Sequence, residues 1–111
     1  MQLNRIGDIK PYDAPGHFDV ETLRMQGLHA SDASSFSVGL SHFEPGGGCD
    51  RSASPPEKVY VVVSGELTVI FDDQEVTLGP LDSLLIESNE ARAVENRGDE
   101  IATVVVIVSA S

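Results

Sequence analysis

Several common features are scarce in this chain, and each scarcity excludes a class of structure or function. Cys49 is the only cysteine in 111 residues. An intrachain disulfide and a multi-cysteine metal site are therefore out of reach, and a lone thiol suits a reducing compartment. Cations are also few: 7 Lys and Arg stand against 18 Asp and Glu, a formal charge of -11. A surface of that sign repels phosphate backbones and argues against a nucleic-acid partner. It also makes any cation that ends up in a pocket informative. Long hydrophobic runs are missing. The longest, Ile101 to Val108, is interrupted by Thr103 and is far too short to cross a bilayer, so it reads as a buried strand. The opening M-Q-L-N-R-I-G-D has no apolar stretch of signal-peptide length. The expectation is a cytoplasmic protein with no membrane partner. No segment carries a helical period of useful length, and no repeat or low-complexity tract is evident.

What is present is a series of short β-rich runs separated by turn signals. Apolar content of 41% is ordinary for a folded domain, and the length suits one core. A short strand is expected within Met1–Ile9, then a Pro- and Gly-rich loop from Lys10 to Gly16. Strands are expected over Phe18–Met25 and Phe36–Phe43, with a glycine- and serine-rich loop from Glu44 to Pro56. Lys58 to Phe71 reads as a long β run bent at Gly65. Shorter strands follow at Glu75–Leu78, Ser83–Glu87, Ala91–Glu95 and Glu100–Ser109. Val, Ile and Thr dominate these runs, as strands require. The pattern predicts one all-β domain over residues 1–111, a jelly-roll-like barrel with residues 1–16 as an N-terminal arm.

Two stretches within residues 44–98 resemble the motifs of the cupin family. The first family motif, G-x5-H-x-H-x3-4-E-x6-G, resembles the run P-G-G-G-C-D-R-S-A-S-P-P-E-K-V-Y-V-V-V-S-G from Pro45 to Gly65. Lys58 falls at the family's glutamate. The two histidine positions fall on Arg51 and Ala53, or on Ser52 and Ser54, depending on loop length. The second motif resembles L-D-S-L-L-I-E-S-N-E-A-R-A-V-E-N, with Glu87 at the proline, Arg92 at the histidine and Asn96 at the asparagine. The resemblance implies a double-stranded β-helix barrel and a homodimer. Family members with intact motifs hold a divalent metal on three His and one Glu inside the barrel. Lys58 and Arg92 carry positive charge and offer no lone pair at neutral pH. The resemblance with these substitutions therefore implies a site with no metal and no cofactor. A shifted site on His42, Cys49, Asp50 and Glu57 has competent ligands, but its spacing matches no established pattern.

If Lys58 points into the barrel, alternation puts Tyr60 and Val62 on the same inner face. Arg92 and Val94 are expected to face inward from the second motif, and His42 from the earlier strand, where it shares a face with Val38 and Leu40. His42, Lys58, Tyr60 and Arg92 would then surround one cavity, with Arg51, Ser52 and Ser54 near its mouth. Two cations in a confined space call for an anion. That anion is either a ligand carboxylate or phosphate, which Arg92 is suited to bind, or a protein carboxylate such as Glu57, Glu87 or Glu95. Three functions follow. The first is a binding protein for a small anionic metabolite, an organic acid or sugar acid. The second is a metal-independent isomerase, epimerase or lyase in which His42, Tyr60 or Lys58 moves protons. The third is a non-catalytic protein whose pocket is closed by its own salt bridges.

Overall fold

Alternating Val, Ile, Leu and Thr build eight strands in the computed structural model, which describes residues 1–110. In chain order they are β1 (His17–Gln26), β2 (Phe36–Ser52), β3 (Lys58–Ser64), β4 (Leu67–Ile70), β5 (Glu75–Leu78), β6 (Ser83–Ile86), β7 (Arg92–Glu95) and β8 (Ala102–Ser109). All pairings are antiparallel. The hydrogen-bonded order is β5-β4-β7-β2-β8-β3-β6, with β1 beside β2. The first half of β2 lies between β1 and β8, and its second half pairs with β7. One strand thus belongs to both walls, which makes the sheet a jelly-roll barrel. Among the described residues, no helix is long and apolar enough to cross a membrane.

Two expectations about local structure are corrected. Met1–Ile9 holds no strand, only a 3-10 turn at Ile6–Asp8 with no buried residue. The arm is tied down by side chains instead: Asn4 Nδ2 donates to the carbonyls of Met25 and Ala30, and Gln2 Nε2 donates to Asp32. The glycine-rich stretch after Glu44 is also not a loop, because β2 continues through it to Ser52. Glycines favour loops in isolation, but here they let backbones meet. A Cβ on Gly48 would lie 2.0 Å from the carbonyl oxygen of Val94, and one on Gly47 would lie 2.2 Å from that of Asp19. Gly65, at φ +75°, makes the expected bend between β3 and β4.

The core lies inside the barrel. Val62, Leu67, Val69, Ile86 and Val104 are each at most 0% exposed, and each such side chain contributes about 1.5–3 kcal/mol by its burial. Asn96, the asparagine of the second motif, is buried among them. Its Nδ2 donates to the carbonyls of Phe43 and Glu100, and its Oδ1 accepts from the amide of Gly98. It thereby locks the turn before β8 to the middle of β2.

The alternation in β2 is as regular as its sequence implies, but its orientation is reversed. Ser37, Gly39, Ser41 and Phe43 are buried inside, while Val38, Leu40 and His42 lie on the outer wall. In register with them across the sheet, Ile107, Val59 and Leu85 extend an apolar row over β8, β3 and β6. The inner face is the more polar one because it borders a cavity. In β3 the predicted faces hold, with Tyr60 and Val62 inside.

The close approach at Gly48 makes a stability prediction. Gly48→Ala drives a methyl group into the backbone of β7, which cannot yield as a side chain would. The expected loss is at least about 3 kcal/mol, the upper end for overpacking, read as a lowered urea midpoint. Gly7→Ala meets no atom within 4 Å and should leave the midpoint nearly unchanged.

Candidate functional site

The barrel is hollow beside this core. A cavity of about 170 Å³ opens there, far roomier than one water needs. Its apolar floor is Phe43, Leu67, Val104, Val106 and Val108, and its polar groups come from five elements. Lys58 and Tyr60 project from β3, Arg92 from β7, Ser41 and Cys49 from β2, His17, Thr22 and Arg24 from β1, and Tyr12 from the N-terminal arm. Among the described residues, no Asp or Glu lines it. Three of the chain's 7 Lys and Arg therefore face one small space in a chain of charge -11.

Arg92 is buried, at 7% exposure, and is held by neutral partners alone. Its Nε donates to the Tyr60 hydroxyl at 3.2 Å, and its Nη1 donates to the Ser52 hydroxyl at 2.5 Å and the Ser52 carbonyl at 3.2 Å. The Lys58 ammonium donates to the Ser54 hydroxyl and to the Pro56 carbonyl. The two serines therefore seat the two cations, and Ser52 and Ser54 occupy the positions that sequence left open against Arg51 and Ala53. The described ion pairs are Arg51–Asp72, Arg97–Glu75 and Arg97–Glu95. None involves Lys58, Arg92 or Arg24. Glu57, Glu87 and Glu95 thus do not neutralise the cavity, and the self-paired pocket is corrected: the carboxylates lie on the outside, in water.

This arrangement shifts the neighbouring groups. Burial, and secondarily the charge of Arg92, lowers the pKa of Lys58 below the ordinary lysine value. Burial raises the Tyr60 phenol above its usual value, with Arg92 acting in the opposite direction. Burial likewise raises the Cys49 thiol, again opposed by Arg92. Burial therefore favours the neutral forms of Tyr60 and Cys49, and Lys58 releases its proton more readily than an exposed lysine.

Two expected site residues lie elsewhere. His42 is on the outer wall, where Nδ1 is 3.0 Å from the Thr103 hydroxyl. It borders a shallow outer groove with Asp19, Glu21 and Glu44. Its apolar neighbours Val38 and Leu40 implied the inner face, but in this barrel the apolar side of β2 is the outer one. Arg51 points to solvent, where Nε and Nη2 each donate to the Asp72 carboxylate at 2.9 Å. His42 and Cys49 are on opposite faces, and among the described residues no group of three His, Cys, Asp or Glu is placed to hold a metal ion. The donor set at the family's metal position, Lys58 and Arg92 with two serine hydroxyls, does not suit a divalent cation.

Sequence reading missed Arg24, Tyr12 and the burial of Cys49. Arg24 lies in a run read only for its β propensity, yet its positive charge in so acidic a chain was the available signal. Tyr12 carried no signal, because only the fold lays the arm over β1, through the Tyr12–Thr22 bridge.

An unpaired buried cation costs stability, and this predicts an unusual mutant. Arg92→Met fills similar volume without the charge and is expected to melt at or above the wild-type temperature in anion-free buffer, since apolar replacement of buried charge is neutral or stabilising. A loss of more than about 2 kcal/mol would instead reveal a counter-charge, because breaking a buried pair is strongly destabilising.

Comparison with known proteins agrees with this architecture. The family description Cupin domain matches residues 39–108. A Mycobacterium tuberculosis protein named beta-D-galactosidase Rv1717 is 41% identical over 109 residues, covering 98% of this chain and 94% of the relative. Two solved structures share the fold at low identity. The polyketide cyclase RemF from Streptomyces resistomycificus aligns with a TM-score of 0.87 at 16% identity, covering 100% of this chain and 80% of that one. An RmlC-like cupin from Shewanella frigidimarina aligns with a TM-score of 0.82 at 15% identity, covering 100% of this chain and 92% of that one. With a family match spanning most of its strands and a relative matching along nearly its whole length, this chain belongs to the cupin family.

Proposed function

We propose that the barrel cavity binds a small acidic sugar, its carboxylate held between Arg92 and Lys58. One observation carries this reading: cationic side chains converge on a cavity with no carboxylate in its lining, in a chain that is otherwise strongly acidic. A buried charge without a partner is costly, and a ligand carboxylate supplies the missing charge with charge-assisted hydrogen bonds. The sugar part of the proposal comes from the mycobacterial relative, whose name assigns it a galactoside substrate. The tyrosine and serine hydroxyls around the two cations suit a hydroxyl-rich ligand. The donor set favours binding without a metal, because Lys58 and Arg92 already supply the positive charge that a metal would bring.

Calorimetric titration with galacturonate, against galactose as the uncharged control, tests this reading. Galacturonate is expected to bind and galactose to bind at least about tenfold more weakly, the worth of a hydrogen bond to a charged group. Arg92→Met should remove the difference. Affinity should fall as pH rises through the lowered pKa of Lys58, since only the ammonium attracts the carboxylate. The fall should begin at a lower pH than for an exposed lysine and disappear in Lys58→Met. Equal binding of the two sugars would sink the proposal.

Hydrolysis of a β-galactoside is the second reading, favoured by the same full-length relative. Most glycosidases use two carboxylates flanking the bond, and no carboxylate lines this cavity. Catalysis here would instead use Lys58 or the Tyr60 phenol to protonate the leaving oxygen, while Arg92 holds Tyr60 in place. The isomerase or lyase alternative rests on the same two residues, because His42 lies outside the cavity. Release of galactose from lactose, whose sugar alkoxide leaving group needs a proton, measures this directly. Lys58→Met and Tyr60→Phe are expected to lower kcat together by about 100-fold or more, the usual contribution of a proton donor. Full activity in both variants would overturn Lys58 and Tyr60 as proton donors and leave His17 in the cavity lining or the outer carboxylates Asp19, Glu21 and Glu44 to account for it.

A further inference from the structure

Arg24 lies away from the Arg92–Lys58 pair. Its guanidinium stacks on the Tyr12 ring, 4.7 Å from the centroid, and Nη2 donates to the Tyr12 hydroxyl at 3.0 Å. Its Nη1 reaches the Ser37 hydroxyl only at 3.4 Å. Its Nε is buried with no hydrogen-bond partner, the one such side-chain atom among the described residues. None of the described ion pairs includes Arg24. A guanidinium offers five donors in a fixed plane, and here they meet two hydroxyls and no acceptor at Nε. Buried donors are rarely left so. The arrangement is that of a cation aligned by an aromatic ring and waiting for an acceptor.

Register locates Arg24 relative to the other cations. On the inner wall Arg24 of β1 faces Gly39 of β2, Gly39 faces Val106 of β8, and Val106 faces Tyr60 of β3. Three interstrand steps of about 4.8 Å put Arg24 and Tyr60 about 14 Å apart along the curved wall. Both side chains line the same cavity.

We propose that Arg24, framed by Tyr12 and Ser37, is a second anion-binding pole, and that the ligand is a two-headed sugar acid spanning the cavity from Arg92 and Lys58 to Arg24. This rests on the acidic-sugar reading and narrows it to diacids of the aldarate type or to sugar acids carrying a phosphate at the far end. Both present an anionic head to each pole. Tyr12 contributes more than stacking, because it brings the N-terminal arm over the cavity by its bridge to Thr22. A head group on Arg24 would therefore fix the arm as well as the ligand.

The test compares galactarate, a six-carbon diacid, with galactonate, the monoacid of the same chain length, by calorimetry on the full-length protein. Galactarate is expected to bind about tenfold or more tightly than galactonate, the worth of one additional charged hydrogen bond. Arg24→Gln should abolish that advantage, so that galactarate and galactonate bind within about twofold of one another. 6-Phosphogluconate distinguishes the two kinds of far head: binding tighter than galactarate identifies phosphate as the group at Arg24. A galactarate advantage of twofold or less in the wild type is what two equivalent heads give by statistics alone, and it would overturn the second pole. Persistence of the full advantage in Arg24→Gln would overturn it too. If both monoacid and diacid bind equally and need Arg92, the acidic-sugar reading stands and only the second pole falls. If neither binds, both fall. Should Arg24→Gln fail to fold, the wild-type comparison and Arg24→Lys, which keeps the charge without the planar fork, decide the matter.

Discussion

Strand β2 serves both walls of the barrel because its backbone at Gly47 and Gly48 presses directly against the carbonyls of Asp19 and Val94. No side chain fits there. That contact brings β7 alongside the second half of β2 and carries Arg92 over Ser52. It also turns Cys49 inward, so the cavity owes its shape to a place where the sequence has almost no side chain. Asn96 completes the same junction from the other side by satisfying the carbonyls of Phe43 and Glu100. The site and the closure of the barrel are therefore one construction.

Within it, the protein sustains an electrostatic imbalance. Cations are scarce in the chain, yet Arg24, Lys58 and Arg92 gather in a cavity lined by no Asp or Glu among the described residues. Their hydrogen-bond partners are hydroxyls and carbonyls, which do not neutralise charge, and Arg24 Nε has no partner at all. The lowered pKa of Lys58 reflects this, since burial and a second cation both favour the neutral amine. Such unrelieved cost is characteristic of functional sites, where stability is given up for binding. The acidic exterior does not relieve it, because Asp72 and Glu75 are occupied with Arg51 and Arg97 in solvent.

Membership in the cupin family defines the scaffold without defining the chemistry, because this fold carries many unrelated activities. At the positions where the family resemblance implies metal ligands, this chain has cations and serines. The mycobacterial relative, named as a galactosidase, matches almost the full length, but the paired carboxylates of most glycosidases have no counterpart in the cavity lining. A sugar ligand and a cationic pocket are compatible. A conventional two-carboxylate mechanism and this pocket are not.

The sequence by itself determined the all-β class, the succession from β3 to β8 and the bend at Gly65, which follow from local β propensity and turn residues. The inward side of Lys58, Tyr60 and Arg92 was implied by the resemblance to the cupin motifs, which anchored the alternation. The sequence did not determine which face of β2 looks inward. Alternation gives two faces but does not say which is the interior, and the usual assumption that apolar means inside fails when the interior is a polar cavity. His42 was misplaced for that reason. Nor could it reveal that a glycine run would be strand rather than loop, since the cause is a backbone from another part of the chain. Arg24 and Tyr12 entered the site through the arm and β1, which sequence separates from Arg92 by most of the domain. Only the tertiary structure decided those long-range contacts, because they arise when one strand shared by two walls draws distant residues around the same space.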